Sequence, residues 1–216
     1  MHIAIVGGHG QIARLLTRQL TRGGDQVASI IRNPAHTEDI AADGGTPVVI
    51  DVEHADASDL AAAVAGTDAV VFAAGAGPGS GAARKETVDY GGAALLITAA
   101  QTAGVSRYVM ISAMGTDDPP AGDEVFSVYL RAKARADREL MASDREWTVV
   151  RPGRLTDDPG TAHVALARHV ERGPVPREDV AAVVRACLED RRTVGHVFEV
   201  VAGDTPIYEA LDALTS

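Results

Sequence analysis

His2-Ile3-Ala4-Ile5-Val6-Gly7-Gly8-His9-Gly10-Gln11-Ile12-Ala13 decides the fold of this chain. An apolar run from Ile3 to Val6 stops at glycines. A helical pattern follows at once, with Ile12, Leu15, Leu16 and Leu20 at helical spacing. That order predicts a buried parallel strand, a tight turn and a helix N-terminus aimed at a phosphate. Gly8, Gly10 and Ala13 match G-x-G-x-x-(G/A), and Gly7, Gly10 and Ala13 match G-x-x-G-x-x-A equally well. In either reading one glycine turns the chain and another lets backbone approach a diphosphate. A small third residue then lets the helix pack on the strand. Gly7, Gly8, Gly10, Gln11 and Ile12 are therefore the expected contacts of a dinucleotide. His9 either touches a phosphate or faces solvent.

Working outward, strand and helix patterns alternate. Strands are expected at residues 27–31, 47–50, 69–72, 108–111, 148–150 and 196–201. Helices are expected at 11–22, 87–103, 124–141 and 179–188. A helix around 60–64 and a closing one at 206–214 complete the set. Asn33 is placed to cap a short helix opened by Pro34. Strands separated by helices require crossover connections, so the fold class is α/β, a doubly wound parallel sheet in three α/β/α layers. With 216 residues and no repeat or linker, residues 1–216 read as one domain.

Composition narrows the function classes. The chain is 46% hydrophobic and 23% charged, that of a soluble globule. No apolar run nears the roughly 20 residues of a membrane span, and the glycine strand starts too early for a signal peptide, so a cytoplasmic location is expected. A net charge of −10 argues against a nucleic-acid partner. The lone Cys187 lies in an apolar helical stretch and reads as a buried, inert thiol. His163 and His169 fit no common zinc signature, so no metal is expected. Partners reduce to a small-molecule substrate, with the chain a monomer or weak homodimer.

Ligands of such sheets bind beyond the carboxyl ends of the strands. There Arg32 stands 22 positions after Gly10, where an NAD-binding chain carries an acid. A guanidinium suits a 2′-phosphate, so the expected cofactor is NADP. Asp51 and Val52 could hold and line an adenine, or Asp51 could serve the turn. Ala73, Ala74 and Gly75 let backbone pass close to a ribose. Ser112 ends the fifth strand. Tyr129 and Lys133 follow at i and i+4, on one helical face. Such an ammonium is expected to lower the phenol's pKa and prepare it for acid–base work. With only Lys85 and Lys133 as lysines in the chain, chance rarely makes this spacing.

The glycine loop, Ile31-Arg32-Asn33-Pro34, Val88-Asp89-Tyr90 and Tyr108-Val109-Met110-Ile111-Ser112 together resemble an atypical short-chain dehydrogenase/reductase. Tyr129-Leu130-Arg131-Ala132-Lys133, Trp147-Thr148-Val149-Val150-Arg151-Pro152-Gly153 and Phe198-Glu199-Val200 continue the likeness to the small NAD(P)H-binding, NmrA-like and epimerase-like group. The resemblance implies a Rossmann-type fold and a serine–tyrosine–lysine catalytic set, Ser112, Tyr129 and Lys133, the lysine also anchoring the cofactor ribose. It further implies Pro152 and Gly153 as cofactor contacts beside the nicotinamide. Many small members of the group have lost part of that set. The C-terminal substrate side is short, leaving the pocket to loops at 75–84, 115–124 and 155–175. The function expected is an NADP(H)-binding oxidoreductase of a small carbonyl, quinone or flavin-like substrate. A non-enzymatic redox sensor and a nucleotide-sugar epimerase are the alternatives.

Overall fold

The computed structural model describes residues 1–77 and 79–216. Its centre is β1 (His2–Val6), where Ile3, Ala4, Ile5 and Val6 are fully buried. Alternate residues face opposite layers: Ile3 and Ile5 join one core, Ala4 and Val6 the other. A strand covered on both faces must be apolar throughout, which is why the opening run lacks polar alternation.

The chain continues through α1 (Gln11–Arg22), β2 (Gln26–Ile31), α2 (Thr37–Ala42), β3 (Thr46–Val49), α3 (Ala57–Val64) and β4 (Ala69–Phe72). Then come α4 (Gly81–Arg84), a π-helical segment (Lys85–Gly91), α5 (Gly92–Ala103), β5 (Arg107–Ile111) and α6 (Val125–Ala142). β6 (Glu146–Pro152), β7 (Arg154–Thr156), β8 (His163–Ala167), β9 (Pro174–Pro176) and α7 (Arg177–Glu189) follow. The chain closes with β10 (His196–Ala202), β11 (Thr205–Pro206) and α8 (Ile207–Thr215). Asn33 caps a single 3₁₀ turn as expected, its Oδ1 accepting the Ala35 N–H at 3.0 Å.

The nine-stranded sheet has the order β11-β8-β10-β6-β5-β4-β1-β2-β3. Neighbours from β10 through β3 are parallel. Helices α1, α7 and α8 cover one face, and α3, α5 and α6 the other. The strand order reverses between β1 and β4, where a crevice opens at the carboxyl ends.

Two features depart from the sequence reading. Residues 155–175 are not only loop: β8 lies antiparallel on β10, and β7 pairs with β9 in a two-stranded parallel ribbon. These strands span three to five residues between prolines, glycines and aspartates, too short to show a period. The single helix expected at 87–103 instead starts at Gly81 and contains the π-helical turn. Its wider winding brings Lys85, Val88 and Asp89 all inward.

Gly153 follows β6 in a close-packed position. An added Cβ would lie 2.3 Å from Gly173 O and 2.9 Å from Val201 Cγ1. Gly153→Ala is expected to cost about 1–3 kcal/mol. It should lower the melting temperature by roughly 2–4 °C for each kcal/mol lost. An unchanged melting temperature would contradict the seating of the β7–β9 ribbon against β10.

Candidate functional site

The structure decides between the two glycine spacings. Gly7 takes φ +83°, and an added Cβ would sit 2.5 Å from Ala74 Cα, so β1 approaches the end of β4 as only glycine allows. Gly10 is the N-cap of α1, and Ala13 is buried beneath the helix. The working pattern is therefore Gly7-x-x-Gly10-x-x-Ala13. Gly8 instead packs on β2, where a Cβ would lie 2.7 Å from Ser29 Cβ. The N–H groups of Gly7 and Gly8 both donate to Ile30 O, at 3.1 and 2.9 Å, and Gly10 N–H donates to Gly7 O at 2.8 Å. Those three amides are already spent. The next ones, on Gln11 and Ile12, open the helix, where intrahelical acceptors are missing by geometry. No side chain caps this end and no acid stands in the first turn. Such an end can receive an anion.

Beyond it lies a crevice of about 350 Å³ lined by Gly7, Gly10, Arg32, Asp51, Val52, Ala73, Ala74 and Gly75. His9, His36, Arg84 and Val88 also line it. His9 stacks on His36 with centroids 3.5 Å apart, and its Nε2 lies 2.8 Å from Asp39 Oδ2. The Arg32 side chain is 55% exposed, and its nearest carboxylate, Glu53, is 4.0 Å away. Glu53 is engaged elsewhere: Arg84 Nη2 donates to it at 2.9 Å. Hydrogen bonds from Arg84 and Thr87 hold the Glu53 carboxyl below its usual range. More than half of the Arg32 side chain is therefore open at the crevice. Asp51 fills the turn role, its Oδ1 accepting the Glu53 N–H at 3.1 Å, while also facing the crevice.

Lys133 stands behind this wall. Its side chain is 5% exposed, and its Nζ donates to Ala74 O and Ile111 O, each at 3.2 Å. Asp89 Oδ1 lies 3.7 Å from the ammonium. Asp89 is fully buried and accepts the Ala76 N–H at 3.1 Å. Burial pulls the lysine's pKa down, and Asp89 opposes that shift. The sequence reading missed Asp89. Nothing in the sequence singled out its inward position, because only the π-helical winding turns it toward Lys133.

Tyr129 reverses an expectation. Burial, then the charges of Asp89 and Asp137, push its phenol above the usual tyrosine range. The Lys133 ammonium is turned instead toward Ala74 O, Ile111 O and Asp89. Ser112 is 4% exposed beside Asp137, and neither Ser112 Oγ nor Asp137 Oδ1 finds a partner with hydrogen-bond geometry. Asp137 accepts from Arg151 Nε at 3.0 Å, and Arg151 Nη1 reaches Asp117 at 2.6 Å. Burial raises the Asp137 pKa against the pull of Arg151.

Pro152 and Gly153 do not line the crevice. Pro152 O accepts the Met114 N–H at 3.2 Å and so ties the loop after β5 to β6. A second cavity, of about 430 Å³, is lined by Gly77, Gly79, Lys85, Val125, Phe126 and Tyr129. Cys187 is buried and its thiol is pushed up to about 12 by that burial. Among the described residues no three metal-binding side chains cluster, and no helix is long and apolar enough to cross a membrane.

A glycine turn, an uncapped helix end and a crevice at the strand-order switch define a dinucleotide-binding protein. A family model described as NAD(P)H-binding matches residues 7–191. The chain belongs to that family, among the atypical short-chain dehydrogenases/reductases. It is 36% identical to the Bacillus subtilis protein named "Uncharacterized sugar epimerase YhfK", covering 99% of this chain and 100% of the relative. The structure of a candidate NAD-dependent epimerase/dehydratase from Bacillus halodurans superposes with TM-score 0.92 at 35% identity, covering 99% of this chain and 100% of that one. The oxidoreductase ylbE from Lactococcus lactis superposes with TM-score 0.88 at 27% identity, covering 99% and 96%.

The Lys133–Asp89 pair generates a stability prediction. Lys133→Met leaves a buried carboxylate without its counter-charge and should cost about 3–5 kcal/mol in urea unfolding. Adding Asp89→Asn should recover part of that loss. Strictly additive losses in the double variant would contradict the coupling.

Proposed function

We propose that the protein is an NADP(H)-dependent reductase of a small carbonyl, quinone or flavin-like substrate. The observation that carries this reading is the positive lining of the crevice at the start of α1. An uncapped helix end and a freely exposed Arg32 face the crevice. Tyr129, held protonated, lines the adjoining cavity. The amides of Gln11 and Ile12 hold the diphosphate, and Arg32 pairs with the 2′-phosphate. Asp51 accepts from the adenine amino group, and Val52 lines its face. Bound coenzyme supplies the hydride. Tyr129 delivers the proton to the reduced oxygen, while Ser112, which lines neither cavity, sits behind the site beside Asp137. Lys133 acts as a positioning residue through Ala74 and Ile111.

The sugar-epimerase name of the Bacillus subtilis relative favours a second reading, interconversion of a nucleotide sugar. Against it weighs the small substrate side after β6, which consists of a two-stranded ribbon, an edge strand and α8. Turnover of nucleotide sugars without net consumption of coenzyme would establish that reading instead. A protein that binds NADP(H) but reduces nothing in a carbonyl and quinone panel would be a redox sensor.

Two tests follow. Calorimetry should show NADPH binding about 10–100-fold tighter than NADH, the value of one or two charge-assisted hydrogen bonds, with Arg32→Ala closing most of the gap. Equal affinities in the native protein would contradict the assignment. Tyr129→Phe should slow reduction by about 10²–10⁴-fold, the usual contribution of a general acid. Reduction needs the protonated phenol, and the raised pKa keeps it protonated, so the alkaline limb of the native rate should lie above about pH 10. A limb near neutrality, or unchanged turnover in the variant, would remove Tyr129 from the role.

A further inference from the structure

We infer that the second cavity is the substrate subsite of a flat, conjugated molecule carrying a carboxylate, and that Lys85 selects that carboxylate. The inference deepens the reductase reading and rests on it for the word substrate.

Arg84 is matched by Glu53, Lys133 by Asp89 and Arg135 by Glu86. Among the described residues, Lys85 has no carboxylate within 4.0 Å. Yet the residue is 8% exposed. Its Nζ donates to Gly77 O at 2.8 Å and lies 5.4 Å from the Tyr129 ring centroid. An ammonium carries three donors, and burial with one neutral acceptor leaves its charge unmet. An anion in the adjoining cavity would meet it.

Shape comes from the lining of the cavity. The chain has three phenylalanines. Phe72 and Phe198 are fully buried, whereas Phe126 is 61% exposed and Val125 46% exposed. Phe126 lies 6.0 Å from Tyr129, the rings inclined by 31°, which makes an aromatic wall. Gly77 and Gly79 add backbone without side chains to the same lining. A cavity lined by aromatic rings and glycine backbone admits a planar conjugated system, which stacks on such rings. It also brings that system next to the Tyr129 proton donor. A lysine, as a point charge without a fork, suits a single carboxylate at the rim of that plane.

The test uses the full chain and two planar probes that cannot be reduced, 2-naphthoate and its uncharged isostere 2-naphthamide. Calorimetry on the native protein should show naphthoate binding at least about tenfold tighter. Lys85→Gln should bind the two probes alike, and Phe126→Ala should weaken both by a similar factor. Equal affinities in the native protein overturn the proposal, and so does a naphthoate preference that survives in Lys85→Gln. The native comparison needs no variant to fold. NADPH affinity and quinone turnover, measured on the same samples, report on the reductase reading separately. Their loss with the naphthoate preference intact overturns that reading and leaves the anion subsite standing.

Discussion

The candidate site is hung on the main chain of Ala74. Gly7 packs against its Cα so closely that no Cβ fits between them. Its carbonyl accepts from Lys133, whose ammonium also holds Ile111 O at the end of β5. Asp89 balances that ammonium and takes the Ala76 N–H, fixing the next two residues of the wall. Three strand ends are thereby locked to one another at the switch in strand order. A helix N-terminus, a turn glycine and a buried ion pair meet within a few residues of backbone. Such rigid support is what a site needs to hold a ligand within fractions of an ångström.

The same locality explains the electrostatics. The chain is strongly acidic, with net charge −10, yet cations gather at the carboxyl ends of the strands. Arginines there make forked pairs with carboxylates, as Arg84 does with Glu53 and Arg151 with Asp137. Both lysines of the chain stand at this site, and each acts as a point charge on backbone carbonyls. Lys133 is balanced and structural. Lys85 is not balanced, and Arg32 is balanced only at 4.0 Å. Positive charge that the fold leaves unspent marks where anionic groups of ligands belong.

The fold was legible where burial imposes a period. The strand at Ile3 to Val6, the glycine turn and α1 could be read because a strand covered on both faces and a helix that starts at a tight glycine turn leave few residue choices. Arg32 was legible because the strand before it fixes which end faces the crevice. The π-helical turn was not, since residues 85–91 carry no composition that separates a five-residue winding from a four-residue one. Asp89 stayed hidden for that reason: only the wider winding turns it inward beside Lys133. The tyrosine's pKa was misjudged because helical spacing showed the lysine one turn away but neither the burial of the phenol nor the carboxylates behind it. The short β7, β8 and β9 were lost among turn residues whose tertiary pairing alone makes them strands.

The most direct measurement is a crystal structure of the protein with NADP⁺. The account predicts the diphosphate on the amides of Gln11 and Ile12, the 2′-phosphate on Arg32 and the adenine against Val52. A crevice that stays empty at saturating coenzyme, or a nucleotide whose phosphates avoid the start of α1, would contradict it.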